Sequence, residues 1–300
     1  MIHFFALEPE VVGDFLDSWA PGLRGLVDVR RYSRLFPDAA PAEGLCVLVD
    51  FERMNRWRFQ RTLGFAGKLR TANRAMLNDP ARWKSRLDLL NTLRERGINR
   101  FRAFRLDALD AGVRFPVFLR SARDHRGAVS GLLHSREELE RAVSALSLKQ
   151  RLRKRRLLVI EYCDCSDEDG LFRKYSAMKV GGTIIPRHVL FSRKWVTKKP
   201  DVVSDATVEE ERDFLQRFPH REQIEEVFRV GGVEYGRVDY GVKDGRVQVW
   251  EINTNPVVVP RRDTLDPKRL ELQSRSAEQI AEALRALATG SRSAAHRRVT

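Results

Sequence analysis

The sequence predicts an α+β protein built from a small N-terminal α/β domain and two further α/β lobes. Three observations carry that reading. Short apolar strands, such as "GLCVLVDFERM" (44–54) and "LLVIEYCD" (157–164), are interleaved with amphipathic helices. Capping residues and glycines punctuate the helices. Toward the C-terminal end, "YGRVDYGVKDGRVQVWEINTNP" (235–256) reads as a strand, an Asp244-Gly245 turn and a second strand. The 300 residues are enough to bury a real core in one large domain or two to three lobes.

In chain order, residues 1–75 form the N-terminal unit, with a buried strand at 44–54 and a basic helix, "RWRFQRTLGFAGKLR". "LNDP" then breaks the chain. Asn78 or Asp79 is expected to cap the next helix, with Pro80 at its first position and Gly97 at its end. "FPVFLRSARDHRGAVSGLLHSREELERAVSAL" follows as strand, glycine-containing loop, short strand and helix, with Ser135 and Glu138 as a capping box. The first lobe is expected over 76–160 and the second over 161–290. The second contains a hairpin turning at Gly181-Gly182, two helices parted by Pro219, the 235–256 hairpin and a C-terminal helix, "SAEQIAEALRALA". Residues 291–300 are small and basic and are expected to be disordered.

Composition narrows the partners. Fifty-five Lys and Arg against 41 Asp and Glu give a net charge of +14, which favours nucleotides and other anions. The start, "MIHFFALEPEVV", lacks a basic segment leading into a long apolar one, so no signal peptide is expected. No run of about 18 apolar residues occurs, so no membrane span is expected. Cys46, Cys163 and Cys165 are an odd, sparse set that suits a reducing cytoplasm, and "CDC" has no second cluster to complete a metal site.

The chemistry concentrates in the 235–256 hairpin. Glu251 and Asn253, two apart on one strand, share a face. Across the Asp244-Gly245 turn, Asp239 can come beside Glu251. Two carboxylates and an amide oxygen make an oxygen-only set suited to Mg²⁺, or Mn²⁺, bridging phosphates. An isolated E-x-N would read more simply as an exposed strand face. Asp239, the turn and the closing Pro256 together favour a site.

These residues resemble the metal-binding signature of the ATP-grasp superfamily, where an Asp on one strand and the Glu and Asn of E-x-N-x-x-P on the next hold Mg²⁺ between nucleotide phosphates. The resemblance implies an ATP-grasp fold, two α+β lobes clasping ATP. It also implies an acyl-phosphate formed from a carboxylate and then attacked by an amine or thiol. Weaker matches run from about 75 to 290. "NDPARWKSRLDLLNTLRERGI" resembles the helix with a phosphate-binding lysine, and its position points to Arg86 while its chemistry points to Lys84. "FPVFLRSARDHRGAVSGLL" resembles the strand and glycine loop over the phosphates, with Arg120 in the lysine's place. "LLVIEYCD" resembles the adenine-binding hinge, which implicates Glu161, Tyr162 and Asp164. Ser176 stands where the family has an arginine, and Arg173, Lys174 or Lys179 are substitutes for it.

On this reading Asp239, Glu251 and Asn253 are the metal ligands. Lys84, Arg86, Arg120, Glu161, Tyr162, Asp164 and Lys179 are the nucleotide-binding candidates. Arg86, Arg120, Arg187 and Lys174 are the catalytic ones, with ATP and Mg²⁺ as cofactors and a small carboxylate and amine as substrates; a homodimer is one assembly allowed. The segment "PRHVLFSRKWVTKKP" (186–200) reads equally as an anion-facing strand and as a solvated basic one, and His188 as a base is the lesser reading. "KQRLRKRR" (149–156) lacks interleaved aromatics and reads as a charged helix end rather than a specific nucleic-acid patch. A small-molecule kinase and a nucleotide-binding protein with degenerate catalysis are the alternatives, the second favoured by the missing lysines.

Overall fold

Three sheets organise the chain, each seeded by apolar strands. The computed structural model describes residues 1–32, 43–123, 127–147 and 157–296. The first sheet is parallel, with strands β1 (Ile2–Ala6), β2 (Val27–Arg31), β3 (Leu45–Leu48) and β4 (Met76–Leu77) in the order β2-β1-β3-β4. Its central strands, "IHFFA" and "LCVL", are buried throughout, as continuous apolar parallel strands require. Helices α1 (Glu10–Ser18) and α2 (Arg56–Thr71) complete this unit. Asn55 caps α2 by accepting from the Arg58 amide at 2.8 Å.

The linker after β4 departs from the sequence expectation. Helix α3 (Arg86–Glu95) begins one to two turns later than expected, with Ser85 as its cap in place of Asn78 or Asp79. Asn78 sits in the left-handed region at φ 60°, which asparagine tolerates, and is fully buried. Its Oδ1 accepts from the Glu234 and Tyr235 amides at 2.8 and 2.9 Å, while its Nδ2 donates to the Tyr235 carbonyl at 2.8 Å. A residue that reads locally as a cap is thus a tertiary pin.

The second sheet is antiparallel, with β5 (Ala103–Arg105), β6 (Val117–Ser121) and β7 (Leu157–Glu161) in the order β5-β7-β6, and α4 (Arg136–Ser144) packs behind it through Leu139. The third is also antiparallel. Its strands are β8 (Phe172–Val180), β9 (Thr183–Ser192), β10 (Tyr235–Lys243) and β11 (Arg246–Asn253), in the order β11-β10-β8-β9. The turn between β10 and β11 has φ 49° at Asp244 and 70° at Gly245, the left-handed pair that a two-residue hairpin needs.

The two faces of the third sheet have different fates. One, carrying Ala177, Val189, Val238, Val249 and Ile252, packs against α3 and against α5 (Asp205–Arg217) and α6 (Arg221–Gly231). At one end of the other face, Met178, Val180, Ile185 and Tyr235 join a core with β1, β3 and α7 (Leu270–His296). The rest of that face looks toward the second sheet. Helix α7 continues through His296, so the expected disorder of 291–300 gives way there to helix. Past Gly290 the segment "SRSAAH" holds no proline to stop it. Residues 297–300 and the basic run 149–156 lie outside the described residues. Among those described, no helix is long and apolar enough to cross a membrane.

Candidate functional site

Two β-bulges aim the site. Strict alternation along β11 would put Glu251 and Asn253 on the face of Val247 and Val249, which is the helix-packed core. The ladder shifts instead: Asp239 pairs with Glu251, but the next residue, Tyr240, pairs with Val249, leaving Trp250 as the extra residue. The bulge flips parity, so Ile252 joins the core and Glu251 and Asn253 turn to the open face. On β9, Ser176 pairs with His188 while Ala177 pairs with Pro186, so Arg187 is the extra residue. Together with the pairing of Asp239 to Ser176, this lines up Glu251, Asp239, Ser176 and His188 in one row across the four strands.

Cations crowd this row. Glu251 takes an ion pair from Arg86 and a second from Arg120 at 2.8 Å. Asp239 binds Lys174 at 2.7 Å and Arg237 at 2.8 Å, and accepts from the Ser176 hydroxyl at 2.8 Å. Two carboxylates therefore face four cations, a local excess of positive charge that suits a polyphosphate. Burial alone would raise the Asp239 carboxyl, but Arg237 and Lys174 outweigh it and hold the group at about 2. Arg86 is pulled below the usual arginine range by burial and then by Arg120, with Glu251 opposing. His188 is driven well below the ordinary histidine value by burial and by Arg187. It is neutral at pH 7, and its Nε2 lies 3.0 Å from Ser176 Oγ. Because that hydroxyl donates to Asp239, the imidazole donates to it in turn.

The third oxygen is Asn253 Oδ1, which is buried and has no hydrogen-bond partner. A buried amide oxygen left unpaired is costly unless something else occupies its lone pairs. It stands on the strand that carries Glu251, and the set of Asp239, Glu251 and Asn253 is all hard oxygen, which fits Mg²⁺. Among the described residues no three His, Cys, Asp or Glu side chains converge as a metal centre.

A cavity of about 800 Å³, counting its open side, runs from this corner between the second and third sheets. Its far end is apolar and aromatic, with Phe118, Ile160, Tyr162, Trp195 and Trp250, and its near end is charged, with Arg120, Lys174 and Glu251. Phe118 and Tyr162 both pack on Trp195, at ring separations of 4.9 and 5.8 Å. An aromatic slot leading to a cationic corner is the shape of a nucleotide site, base at one end and phosphates at the other. Gly127, at φ 92°, passes so close that a Cβ there would lie 2.7 Å from Lys198 Cε.

The other candidates divide. Of the two residues weighed at the start of α3, Arg86 reaches Glu251, while Lys84 precedes the helix cap and its amide donates to the Gly231 carbonyl. Of the three cations weighed on β8, Lys174 is the one that meets Asp239: Arg173 turns to Glu210 and Asp167, and Lys179 lies over the Phe228 ring at 5.6 Å, near Glu234. Arg187 is buried behind the row, donating to the Val258 carbonyl at 2.6 Å and to Gln273, so it braces the fold. Glu161 is held chiefly by the chain itself. It lines the cavity, but its carboxylate accepts from the amides and guanidiniums of both Arg102 and Arg114. Asp164 is exposed and outside the cavity lining, and its Oδ1 accepts from Ser166 and Tyr162. In the basic segment 186–200, Trp195 and Lys198 line the cavity while Arg187 and His188 are buried.

Sequence reasoning missed Arg237. The R-x-D spacing places it on the face of Asp239, and that was the available signal. It also missed the brace beneath E-x-N: Thr254 donates its amide and hydroxyl to Glu52 at 3.1 and 2.7 Å, and Asn255 donates to Asp50 at 2.9 Å. The first unit therefore holds the turn that follows β11 from below. Gly236 permits the close pairing of β10 and β11, since a Cβ there would lie 2.6 Å from the Asn253 carbonyl oxygen. Gly236→Ala is expected to lower stability by about 1–3 kcal/mol, read as a lower melting temperature.

No protein-family model matches the sequence, and no curated protein does. Solved structures do match. The D-alanine–D-alanine ligase of Coxiella burnetii is 13% identical, covering 100% of this chain and 99% of its own, with a TM-score of 0.54. The Bacillus anthracis D-alanine–D-alanine ligase, complexed with ATP, is 14% identical over 96% of this chain and 98% of its own, at 0.52. The ATP-grasp ligase PsnB, complexed with a precursor variant, Mg and ADP, is 14% identical over 96% and 97%, also at 0.52. Sequence identity this low speaks to architecture alone, and the architecture is shared end to end: this chain has the ATP-grasp fold.

Proposed function

We propose that the protein is an ATP- and Mg²⁺-dependent ligase that joins a carboxylate to an amine through an acyl-phosphate, acting in the cytoplasm where its free thiols stay reduced. The observation that carries this is the cross-strand pairing of Asp239 and Glu251, with the orphaned Asn253 oxygen beside Glu251's strand neighbours and four cations around them. Asp239, Glu251 and Asn253 would hold the metal, which supplies neutralisation of phosphate charge.

The chain's own part is positioning and charge. Arg86 and Arg120 exchange Glu251 for phosphate oxygens. Lys174 and Arg237 remain on Asp239 and add positive potential where negative charge develops. A substrate carboxylate oxygen attacks the γ-phosphorus and ADP leaves. The amine nitrogen then attacks the acyl carbon, phosphate departs and the amine's proton passes to solvent. Neutral His188 donates to Ser176 and keeps that hydroxyl on Asp239, which makes it a positioning group.

A second reading, nucleotide binding without turnover, is favoured by one feature: Arg86 and Arg120 both already pair with Glu251 Oε2. Turnover separates the two. MgATP at about 100 times its dissociation constant is expected to stabilise the protein by about 2.7 kcal/mol, and a screen of carboxylate and amine pairs is expected to release ADP only when both are present. Stabilisation with no ADP release from any pair would favour the binding protein, and a stable phosphorylated product formed without an amine would indicate a kinase.

A further inference from the structure

A second groove, of about 950 Å³ with its open side, lies beside the start of α2 and shares no lining residue with the nucleotide cavity. Its apolar surface is aromatic. Phe59 and Trp83, both half-buried, line it with ring centroids 5.6 Å apart, and Phe51 lies buried beneath them at 6.1 and 5.7 Å. Its charged surface is mostly guanidinium, from Arg56, Arg105 and Arg123. Glu52 is the acid of the lining, and its carboxylate already binds Thr254. Arg105 sits bidentate on Asp107 at 2.9 and 2.8 Å, an exposed pair of the kind that a polyanion exchanges at little cost.

The positive surface continues from the groove over the outside of α2. From Met54 to Asn78 the chain holds five arginines, one lysine and no acid. Phe65, Ala66 and Leu69 pack α2 against Phe5 and Leu48 of the first sheet, while Arg56, Trp57, Arg58 and Arg61 are exposed. Trp57 keeps 57% of its surface in solvent, and the Arg61 guanidinium lies 4.9 Å from its ring centroid. Around the helix Arg56 stands between Phe59 and Trp57, so aromatic groove, guanidinium and exposed indole follow one another along one path. Arg56 and Arg58 occupy the first turn, where acids stabilise a helix and here there are none. Helix stability does not account for these two charges.

We propose that this path binds single-stranded RNA without reading its sequence. Bases stack on Trp57 and on the Phe59 and Trp83 wall, and Arg56, Arg58 and Arg61 neutralise phosphates. RNA is the nucleic acid commonly met with its bases unpaired, whereas a duplex keeps its bases stacked on one another and offers the groove none. An anionic membrane favours a helix face with several exposed apolar side chains, and Trp57 is the large apolar residue that α2 exposes. The path does not depend on the ligase reading.

The test is fluorescence anisotropy of a labelled oligouridine of about 20 nucleotides with the full chain, at about 50 mM salt. Mg²⁺ and a non-hydrolysable ATP analogue are present throughout to fill the nucleotide cavity. The oligouridine is expected to bind with an affinity that falls steeply with salt, and a duplex of equal length to bind at least roughly tenfold more weakly. Trp57→Ala, whose fold is checked by its melting curve, is expected to weaken binding roughly fivefold or more. Arg56→Glu combined with Arg58→Glu is expected to weaken it at least roughly tenfold and to flatten the salt dependence. Arg275→Glu combined with Arg285→Glu makes the same charge change at exposed positions of α7 and is expected to leave affinity within about threefold. No binding at about 50 μM chain overturns the proposal. So does an α7 pair as damaging as the α2 pair, which would mean that net charge alone attracts the oligonucleotide. A duplex bound as tightly as the single strand, or an affinity indifferent to Trp57→Ala, overturns it too. Recruitment through Trp57 to phosphatidylglycerol vesicles, with no oligouridine bound, would make the surface a membrane contact instead.

Discussion

Glu251→Gln is expected to abolish the magnesium dependence of ATP binding and to lower any ATP turnover at least ~100-fold. The substitution keeps the shape of the side chain and removes its charge. That charge serves two purposes. It is one of two anionic donors in the oxygen set, and it is the counter-ion of Arg86 and Arg120, both nearly buried. Without it, two guanidiniums that already repel each other are left uncompensated, at a cost of about 3 kcal/mol or more to the unliganded protein. Phosphate oxygens can replace the lost carboxylate. Metal-free ATP is therefore expected to raise the melting temperature of the variant more than that of the wild type, and added Mg²⁺ to contribute nothing further. A variant whose melting temperature still climbs with Mg²⁺ in the presence of ATP would show that Glu251 is not a metal ligand.

The second large effect concerns the end of β7. Glu161→Ala is expected to destabilise the protein by about 3 kcal/mol at pH 7, because one carboxylate satisfies the main-chain amides and guanidiniums of Arg102 and Arg114. The sign of its pH dependence follows from its shift. Burial would raise this carboxyl, but Arg114 and Arg102 outweigh burial and bring it to about 2. An unfolded glutamate titrates near ~4.3, so the folded state favours the ionised form. The contribution is complete above the unfolded value and is lost as pH falls toward about 2. Melting curves of wild type and variant should therefore differ by a constant amount from neutrality down to about pH 5 and converge in stronger acid. A gap that persists undiminished at the acid end would mean that packing, not charge, is what Glu161 supplies.

How far the site was legible can be followed residue by residue. The E-x-N strand, the Asp244-Gly245 turn and Asp239 are close in sequence, so a hairpin reading brings them together without knowledge of the rest. The choice between Lys84 and Arg86 could be posed from sequence, but only the orientation of α3 against β11 settles which one meets Glu251. Glu161 looked available because acidic side chains usually face solvent; its arginine partners are 59 and 47 residues away. Lys179 looked equivalent to Lys174, yet five residues of strand carry it to the other face and the far end of β8.

By itself, then, the sequence determined the α+β class, the order of strands and helices, the hairpin turn and the carboxylates and amide that the hairpin carries. Those depend on periodicity and on short-range turn chemistry, which act within a few residues. Tertiary structure alone decided which face those donors use. The bulges at Trp250 and Arg187 each shift a strand's parity by one residue, in a sheet packed against α3, α5 and α6 on one side and against α7 and the first unit on the other. Tertiary structure also decided what surrounds the donors. Arg86, Arg120, Lys174 and Arg237 come from four separate elements, and the potential at one point is a sum over charges whose distances no local pattern records.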